Sequence, residues 1–507
     1  MKPLAFVTII TLAFLSTLPL ASQSIATTYP AHIVTVDESG GVLTMRGVRT
    51  TEGELETLRL RAVAPAVSER TEIIVMTATG EKRVTAPETR AYIGTIDGDP
   101  RSTVTVVHAG AKTYGIISEG SGATWVLSRT VGTPSYTIAR GDALPREFEC
   151  VGFDEDEAMA LPPTIVAGAP MREMEVAVET DTRFFLSTGG TEEDAVAYLS
   201  ALMSSVSAIY QRDLGLVVTM TWARIWTLEN SDPYGANGDP YLLTDLVAQN
   251  WSAYADVERD ILHVITTDDI GQGGWGYYSK ICQGDQYAHS TSSINGYHDP
   301  LAPVFNYDTY TVAHELGHNL GARHTHSCFY GAPLDTCHVE QAIAEGCLSP
   351  DQVRLPNPGS IMSYCGHANN DAGLGYQVAM YFPEPVAGPM RTYIESLPCL
   401  SLYALPIPTP IAPVDDTVAV GAVDFSWSAA WSGAYEVELR GAEVRTIRVN
   451  ESDTTIMIES MGGVEWRVRS IADGSVGEWS EWRSFLIGDE TMGVEDMPWH
   501  APTLDLW

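Results

Sequence analysis

The segment His314-Glu315-Leu316-Gly317-His318, followed by Gly321 and His324, restricts this chain more than any other part of it. On an α-helix, residues four apart lie on one face about 6 Å apart along the axis, so His314 and His318 aim two imidazoles at one place. Two histidines need that spacing to share a tetrahedral zinc ion. Gly321 can take a positive φ without a Cβ clash, which lets the chain leave the helix and bring His324 round as a third ligand. The fourth position is then open to water, with Glu315 beside it. Zinc lowers the pKa of a bound water to about 7, so Glu315 is placed to take its proton and later to hand it to a leaving amine. An ordinary amphipathic helix with surface histidines does not require Gly321 and His324 in this register.

The rest of the sequence says where such a site would work. With 65 acidic against 29 basic residues the formal charge is −36, which repels a phosphate backbone and excludes nucleic acid as a partner. An apolar run from Leu4 to Leu20 behind Lys2, then small residues with Ser24-Ile25-Ala26 as a cleavage site, reads as a secretory signal over residues 1–26. No later stretch has the roughly 18 apolar residues of a membrane span, so the expectation is a secreted, extracellular protein. Export favours disulfides among the seven cysteines. Six of them fall between Cys282 and Cys399, and Cys150 stands apart.

The chain reads as multidomain. Residues 27–150 carry short alternating runs, such as Ile73-Ile74-Val75-Met76 and Ser102 to Val107, between Gly, Asp and Pro turns, and predict an antiparallel β module. An acidic, then Pro- and Ala-rich stretch over 151–171 reads as a linker. Over 172–402 strands and helices alternate, with a strand near Glu175, a helix from Thr191 to Leu214, a strand from Leu216, a helix near Pro240 to Tyr254 and a strand from Asp260. That alternation predicts an α/β layer, a twisted mixed sheet carrying the histidine helix. A Pro-rich spacer at 403–414 leads to half-buried strands over 415–488, expected to form a small β-sandwich, and to an irregular tail at 489–507.

The eleven-residue signature from His314 to His324 resembles the metzincin clan of zinc endopeptidases. Gly359-Ser360-Ile361-Met362-Ser363-Tyr364 is similar to the clan's Met-turn, and the resemblance places Met362 beneath the three histidines. Asn319-Leu320-Gly321, the strand at Arg172 to Asp181 and Cys399 near the domain end resemble the reprolysin (adamalysin) family, and Arg90 to Ser102 with Gly115-Ile116-Ile117 resembles its propeptide. Two departures stand out. Thr325 occupies the place where reprolysins usually carry Asp, and Met362-x-Tyr364 resembles astacins and serralysins instead. A secreted bacterial reprolysin-like enzyme fits both.

The resemblance implies several roles. Tyr364 would be a switchable zinc ligand or a donor to the tetrahedral oxyanion, with a packed aromatic as the other reading. Cys282 would pair with Cys399, leaving three pairings open among Cys328, Cys337, Cys347 and Cys365. Cys150 would hold the enzyme latent as a zinc ligand until maturation within the linker, with a buried or unpaired thiol of no consequence as the other reading. Glu175 matches a position where reprolysins hold calcium, with an exposed strand carboxylate as the alternative. His326 reads as a surface residue, and Gly273 to Tyr278 as a cleft wall that pairs with extended substrate, with a Gly-rich loop as the alternative. The Trp479-Ser480-Glu481-Trp482 run and the strand pattern resemble a fibronectin type III domain, whose ligand would be a protein or a polysaccharide. The expectation is a zinc endopeptidase made as a zymogen and acting on proteins or peptides. The rival is an adhesive or matrix-binding protein on a metalloprotease-like scaffold, which predicts a broken site.

Overall fold

The structure is a computed structural model that describes residues 35–39, 41–49, 55–130, 136–140, 170–229, 231–234, 240–251, 254, 256–268, 273–284, 287–296, 305–335, 337–349, 358–365, 378–414, 417–428, 434–450, 452–472 and 475–488. The signal segment, Cys150, all but the end of the 151–171 linker and the 489–507 tail lie outside the described residues. The N-terminal region holds strands β1 (Thr35–Ser39), β2 (Val42–Arg49), β3 (Leu55–Val63), β4 (Glu72–Thr77), β5 (Gly80–Val84), β6 (Thr89–Ile96), β7 (Asp99–Ala109), β8 (Lys112–Ser118), β9 (Thr124–Thr130) and β10 (Thr137–Arg140). Eight of them form an antiparallel sheet in the order β1-β2-β3-β6-β7-β8-β9-β10. Alternation along β7 and its neighbours gives this sheet two apolar faces. One buries its own cluster around Leu58, Val104 and Trp125, and the other turns Val107, Ile116 and Val126 towards the helices that follow.

The hairpin β4–β5 corrects the expectation of one self-contained antiparallel module. It leaves that sheet and joins the next one, where β4 runs parallel to a strand some 150 residues on, pairing Glu72 with Trp222. The reason is visible in Ile73-Ile74-Val75, which is a continuous apolar run rather than an alternating one and is buried throughout. Such a run suits a strand covered on both faces. Ile73 and Val75 enter the core on one side of the sheet and Ile74 enters the core on the other.

The second sheet is built from β11 (Arg172–Thr180), β12 (Leu216–Trp226), β13 (Ile261–Thr266), β14 (Gly274–Gly276), β15 (His289–Ser293) and β16 (Ser401–Leu402), with helices α1 (Thr182–Ser187), α2 (Glu192–Leu214), α3 (Pro240–Trp251), α4 (Phe305–Asn319), α5 (Val339–Glu345) and α6 (Glu384–Ser396). Its order is β14-β15-β13-β11-β12-β4-β5, parallel through the centre, with β14 antiparallel at one edge and β16 paired to the start of β11. The connection through α2 moves one way across the sheet and the connection through α3 moves back. Right-handed crossovers therefore put these helices on opposite faces.

Helix α2 is walled in. Thr191 caps it by accepting from Asp194 N at 3.1 Å, and Gly215 ends it at φ 65°. Between those caps its buried residues run round every face, because α2 packs on β12 on one side and on β6, β7 and β8 on the other. Alanines and serines bring the two sheets close, and two of the serine hydroxyls bond the neighbouring backbone: Ser204 accepts from Ala66 N at 3.0 Å and Ser207 from Val218 N at 3.1 Å.

Beyond the second sheet the chain folds into β17 (Pro410–Ala412), β18 (Thr417–Val418), β19 (Gly421–Trp427), β20 (Ala434–Gly441), β21 (Arg445–Val449), β22 (Asp453–Ile458), β23 (Gly462–Ala472), β24 (Ser475–Val476) and β25 (Arg483–Ile487). The sheet β17-β19-β22 and the sheet β18-β25-β23-β20-β21 share one core around Phe425, Tyr435 and Trp466. On the outer side Arg440, Arg467 and Arg469 interleave with Trp479 and Trp482 at 3.8–4.5 Å from the ring centres. Met171 joins this region to the rest, buried beside Val217 and Leu405 with its N–H on Ser475 Oγ at 3.0 Å.

One buried charge pair pins the α3 face of the sheet. Glu179 on β11 is fully buried, accepts from Arg224 at 2.6 and 2.8 Å, and takes the indole N–H groups of Trp226 and Trp251 at 2.6 and 2.7 Å. Burial pushes its pKa up against the pull of Arg224. Glu179→Ala would leave the guanidinium and two indoles without their acceptor, so the unfolding free energy should fall by about 3–5 kcal/mol. Chemical denaturation followed by tryptophan fluorescence checks this, and an unchanged midpoint would refute it.

Candidate metal centre

Helix α4 lies buried along its whole length between β15, α2 and the N-terminal sheet, and its last turn brings the histidines together. The helix ends as the register of Gly321 requires. Gly321 has φ 86°, its N–H bonds His318 O at 2.9 Å, and Ala322 N–H bonds Gly317 O at 2.9 Å. These two bonds are those of a Schellman motif. The reversal carries His324 back, so that Nε2 of His318 lies 3.2 Å from Nε2 of His314 and 3.1 Å from Nε2 of His324.

The outer nitrogens fix the tautomers. His314 Nδ1 faces Ile361 O at 2.7 Å and His318 Nδ1 faces Ala322 O at 2.8 Å. A carbonyl only accepts, so each Nδ1 carries the proton and each of these two Nε2 atoms presents a bare lone pair. Burial lowers the pKa of all three imidazoles, that of His318 to about 4, and keeps them neutral. Lone pairs converging at 3.1–3.2 Å repel one another unless a cation lies between them. Zinc at 2.0–2.1 Å from each nitrogen sets tetrahedral N···N separations of roughly 3.3 Å, so the donor set fits that ion.

The 359–365 segment forms the floor. Met362 is fully buried, and a Cβ on Gly317 would stand 2.8 Å from its sulfur, so the helix rests directly on the thioether. Ile361 O accepts from His314 Nδ1, Met362 O accepts from Thr325 N at 2.9 Å, and Ser363 O accepts from the Tyr310 hydroxyl. Tyr364 is 8% exposed, with its ring centre 4.6 Å from that of His324. The structure thus gathers His314, His318, His324, Glu315, Met362 and Tyr364 in one place, while Cys150 lies outside the described residues.

The glycines of β14 have a reason that their spacing does not reveal. A Cβ at Gly274 would meet the Glu315 carboxylate at 2.6 Å, and one at Gly276 would meet Glu315 O at 2.6 Å. The edge strand therefore lies against α4 at the position of Glu315, with no room for a side chain on that face. Its outer edge ends the sheet.

Several sequence expectations change. His326 is fully buried, not on the surface: it stacks on His324 at 5.0 Å, and its Nε2 meets Gln341 Oε1 at 2.8 Å. The cause is the loop after it, drawn inward by Leu334 N–H on Thr325 O and closed by disulfides Cys328–Cys347 and Cys337–Cys365. These two bridges resolve the open pairings, and Cys282 pairs with Cys399. Thr325 donates its hydroxyl to the buried carboxylate of Asp335, which sequence reasoning missed for want of any local pattern. Glu175 is half-buried rather than exposed. Its N–H bonds Asp260 at 2.8 Å, and no cluster of three metal-ligating side chains among the described residues includes it.

Residues 196–325, from the first turns of α2 to one residue past His324, match the sequence model of Metallo-peptidase family M12B Reprolysin-like. That stretch of the chain is similar to the reprolysin-like metallopeptidases. Among solved structures, metalloproteinase-II from Bacteroides fragilis is similar at 14% identity and TM-score 0.30, over 57% of this chain and 88% of that one. The chicken CNTN1 FN1–FN3 domains are similar at 15% identity and TM-score 0.16, over 18% of this chain and 35% of that one. The metallopeptidase family supports a metalloprotease using zinc, with protein or peptide substrates. No helix among the described residues is long and apolar enough to cross a membrane.

Proposed function

We propose that the chain is a secreted zinc endopeptidase, made as a zymogen, in which His314, His318 and His324 hold the metal and Glu315 is the general base. The observation that carries this reading is the convergence of three buried imidazoles at 3.1–3.2 Å, with the Nδ1–H groups of His314 and His318 donating to carbonyls. Zinc, when bound, supplies Lewis-acid polarisation of a carbonyl and acidifies a water. Glu315 takes a proton from the attacking water and returns it to the departing amine. Gly274 and Gly276 keep the edge strand close enough for an extended substrate lying along it to reach Glu315. Tyr364, packed beside His324, donates to the developing oxyanion.

Secretion is supported by the apolar run from Leu4 to Leu20 and by three disulfides. Cys150 supplies the latency thiolate, and residues 415–488, with the strand Pro410–Ala412 added from the expected spacer, are a fibronectin III-like accessory domain with a protein or polysaccharide ligand. The three histidines and Glu315 favour the enzyme over an adhesive scaffold, because a scaffold places no demand on a complete donor set.

Glu315→Ala should keep its metal and lose about 10²–10⁴ in rate, whereas His318→Ala should lose the metal itself. Metal analysis and casein cleavage on both proteins check this, and near wild-type cleavage by Glu315→Ala removes the mechanism. Tyr364→Phe should lower kcat with KM little changed, the mark of a contact made only in the transition state. An unaltered kcat returns Tyr364 to packing. Cys150→Ser should make the uncut chain active where the wild type is latent, and equal inertness of the two would give latency another cause.

A further inference from the structure

The N-terminal β region and the reprolysin-like segment share one core, and this bears on what a maturation cut achieves. Strand β12 is buried along nearly its whole length and has β11 on one side and β4 on the other. Just ahead of β4 the chain is already tied to it: Met220 N–H bonds Ala66 O at 2.7 Å, and Met220 O accepts from Thr71 Oγ1 at 2.8 Å. On α2 the Gln211 amide bonds both backbone groups of Ala64, at 3.1 and 2.8 Å. Behind the Met-turn, Met380 O accepts from Thr103 Oγ1 at 2.6 Å and Met380 N–H bonds Ser118 Oγ at 3.1 Å. At the start of α4, Asn306 donates to Thr124 Oγ1 at 2.9 Å and Tyr114 stacks on Phe305 at 5.2 Å.

We propose that the N-terminal region is not shed on maturation but stays as a non-covalently held second chain that completes the central sheet, so that a cut within 151–169 nicks the protein without dividing it. Its departure would turn β12 into an exposed edge with apolar side chains on both faces. It would also strip partners from Gln211, Ser204 and both backbone groups of Met380, which lie buried. The contacts named here fall on β12, α2, the first turn of α4 and residue 380, and none is made to His314, Glu315, His318 or His324. The inference rests on this packing and not on the zinc chemistry.

The test is the full secreted chain in the Glu315→Ala background, with a site for a sequence-specific protease inserted after Ala160. After complete cutting, seen as two bands on a denaturing gel, both fragments should co-elute on size exclusion in native buffer at the position of the uncut chain. They should part only in the denaturant range where the protein unfolds. Hydrogen exchange should show the amides of Trp222 to Trp226 equally protected before and after the cut. Separation of the fragments in native buffer overturns the proposal, whether or not the larger one stays soluble, and so does loss of protection in that strand. Both readouts are independent of catalysis, so a failure here is distinct from a failure of the protease reading.

Discussion

Helix α2 has no side that can face water, and most of the architecture follows from that. A helix buried all round needs two layers to cover it. The central sheet supplies one and the N-terminal sheet the other. Its small residues let both approach, and its serine and glutamine side chains meet backbone groups of each. With α2 fixed, α4 has a floor to lie on. Tyr210 donates to Ala313 O at 2.7 Å and Tyr198 to Asp308 at 2.5 Å, so the histidine helix is held by the helix beneath it.

The metal centre shows the same economy of fit. The helix of His314 and His318 touches a sulfur below at Gly317 and a glycine strand above at Glu315. Both contacts exist because a Cβ is missing, on the helix in one case and on the strand in the other. His326 and Tyr364 form a further aromatic layer against His324, with ring centres 4.6 Å apart, which fixes the plane of the third imidazole. Thr325 lies between that layer and the floor, with its hydroxyl on Asp335 and its N–H on Met362 O. The Thr325 hydroxyl thus meets a carboxylate ten residues on in the chain.

What could be read in the sequence was what the chain decides locally. The helical spacing of His314 and His318, the turn at Gly321 and the cap at Thr191 depend on residues within one or two turns, and the structure has them at those positions. The fate of β4 depends on β12, which no local pattern names, although the unbroken Ile73-Ile74-Val75 run was a sign of burial on both faces. His326 looked exposed because its covering loop is closed by bridges spanning 19 and 28 residues, and spacing alone could not choose them. The alternate glycines of β14 were visible, but their reason lies in Glu315 on another element.

The pairing of Glu72 with Trp222 also sets an order of events in time. Translation proceeds from the N-terminus, so β4 exists long before its partner. Until β12 is available the hairpin exposes Ile73, Ile74 and Val75, a short apolar edge of the sort that sticks to other chains. Contacts this distant in sequence also slow folding, because a long loop must close before they form. The nascent protein therefore passes through a vulnerable interval whose length is set by how fast the chain reaches Trp226. A helper that shields one short hairpin during that interval would raise the yield of the whole molecule.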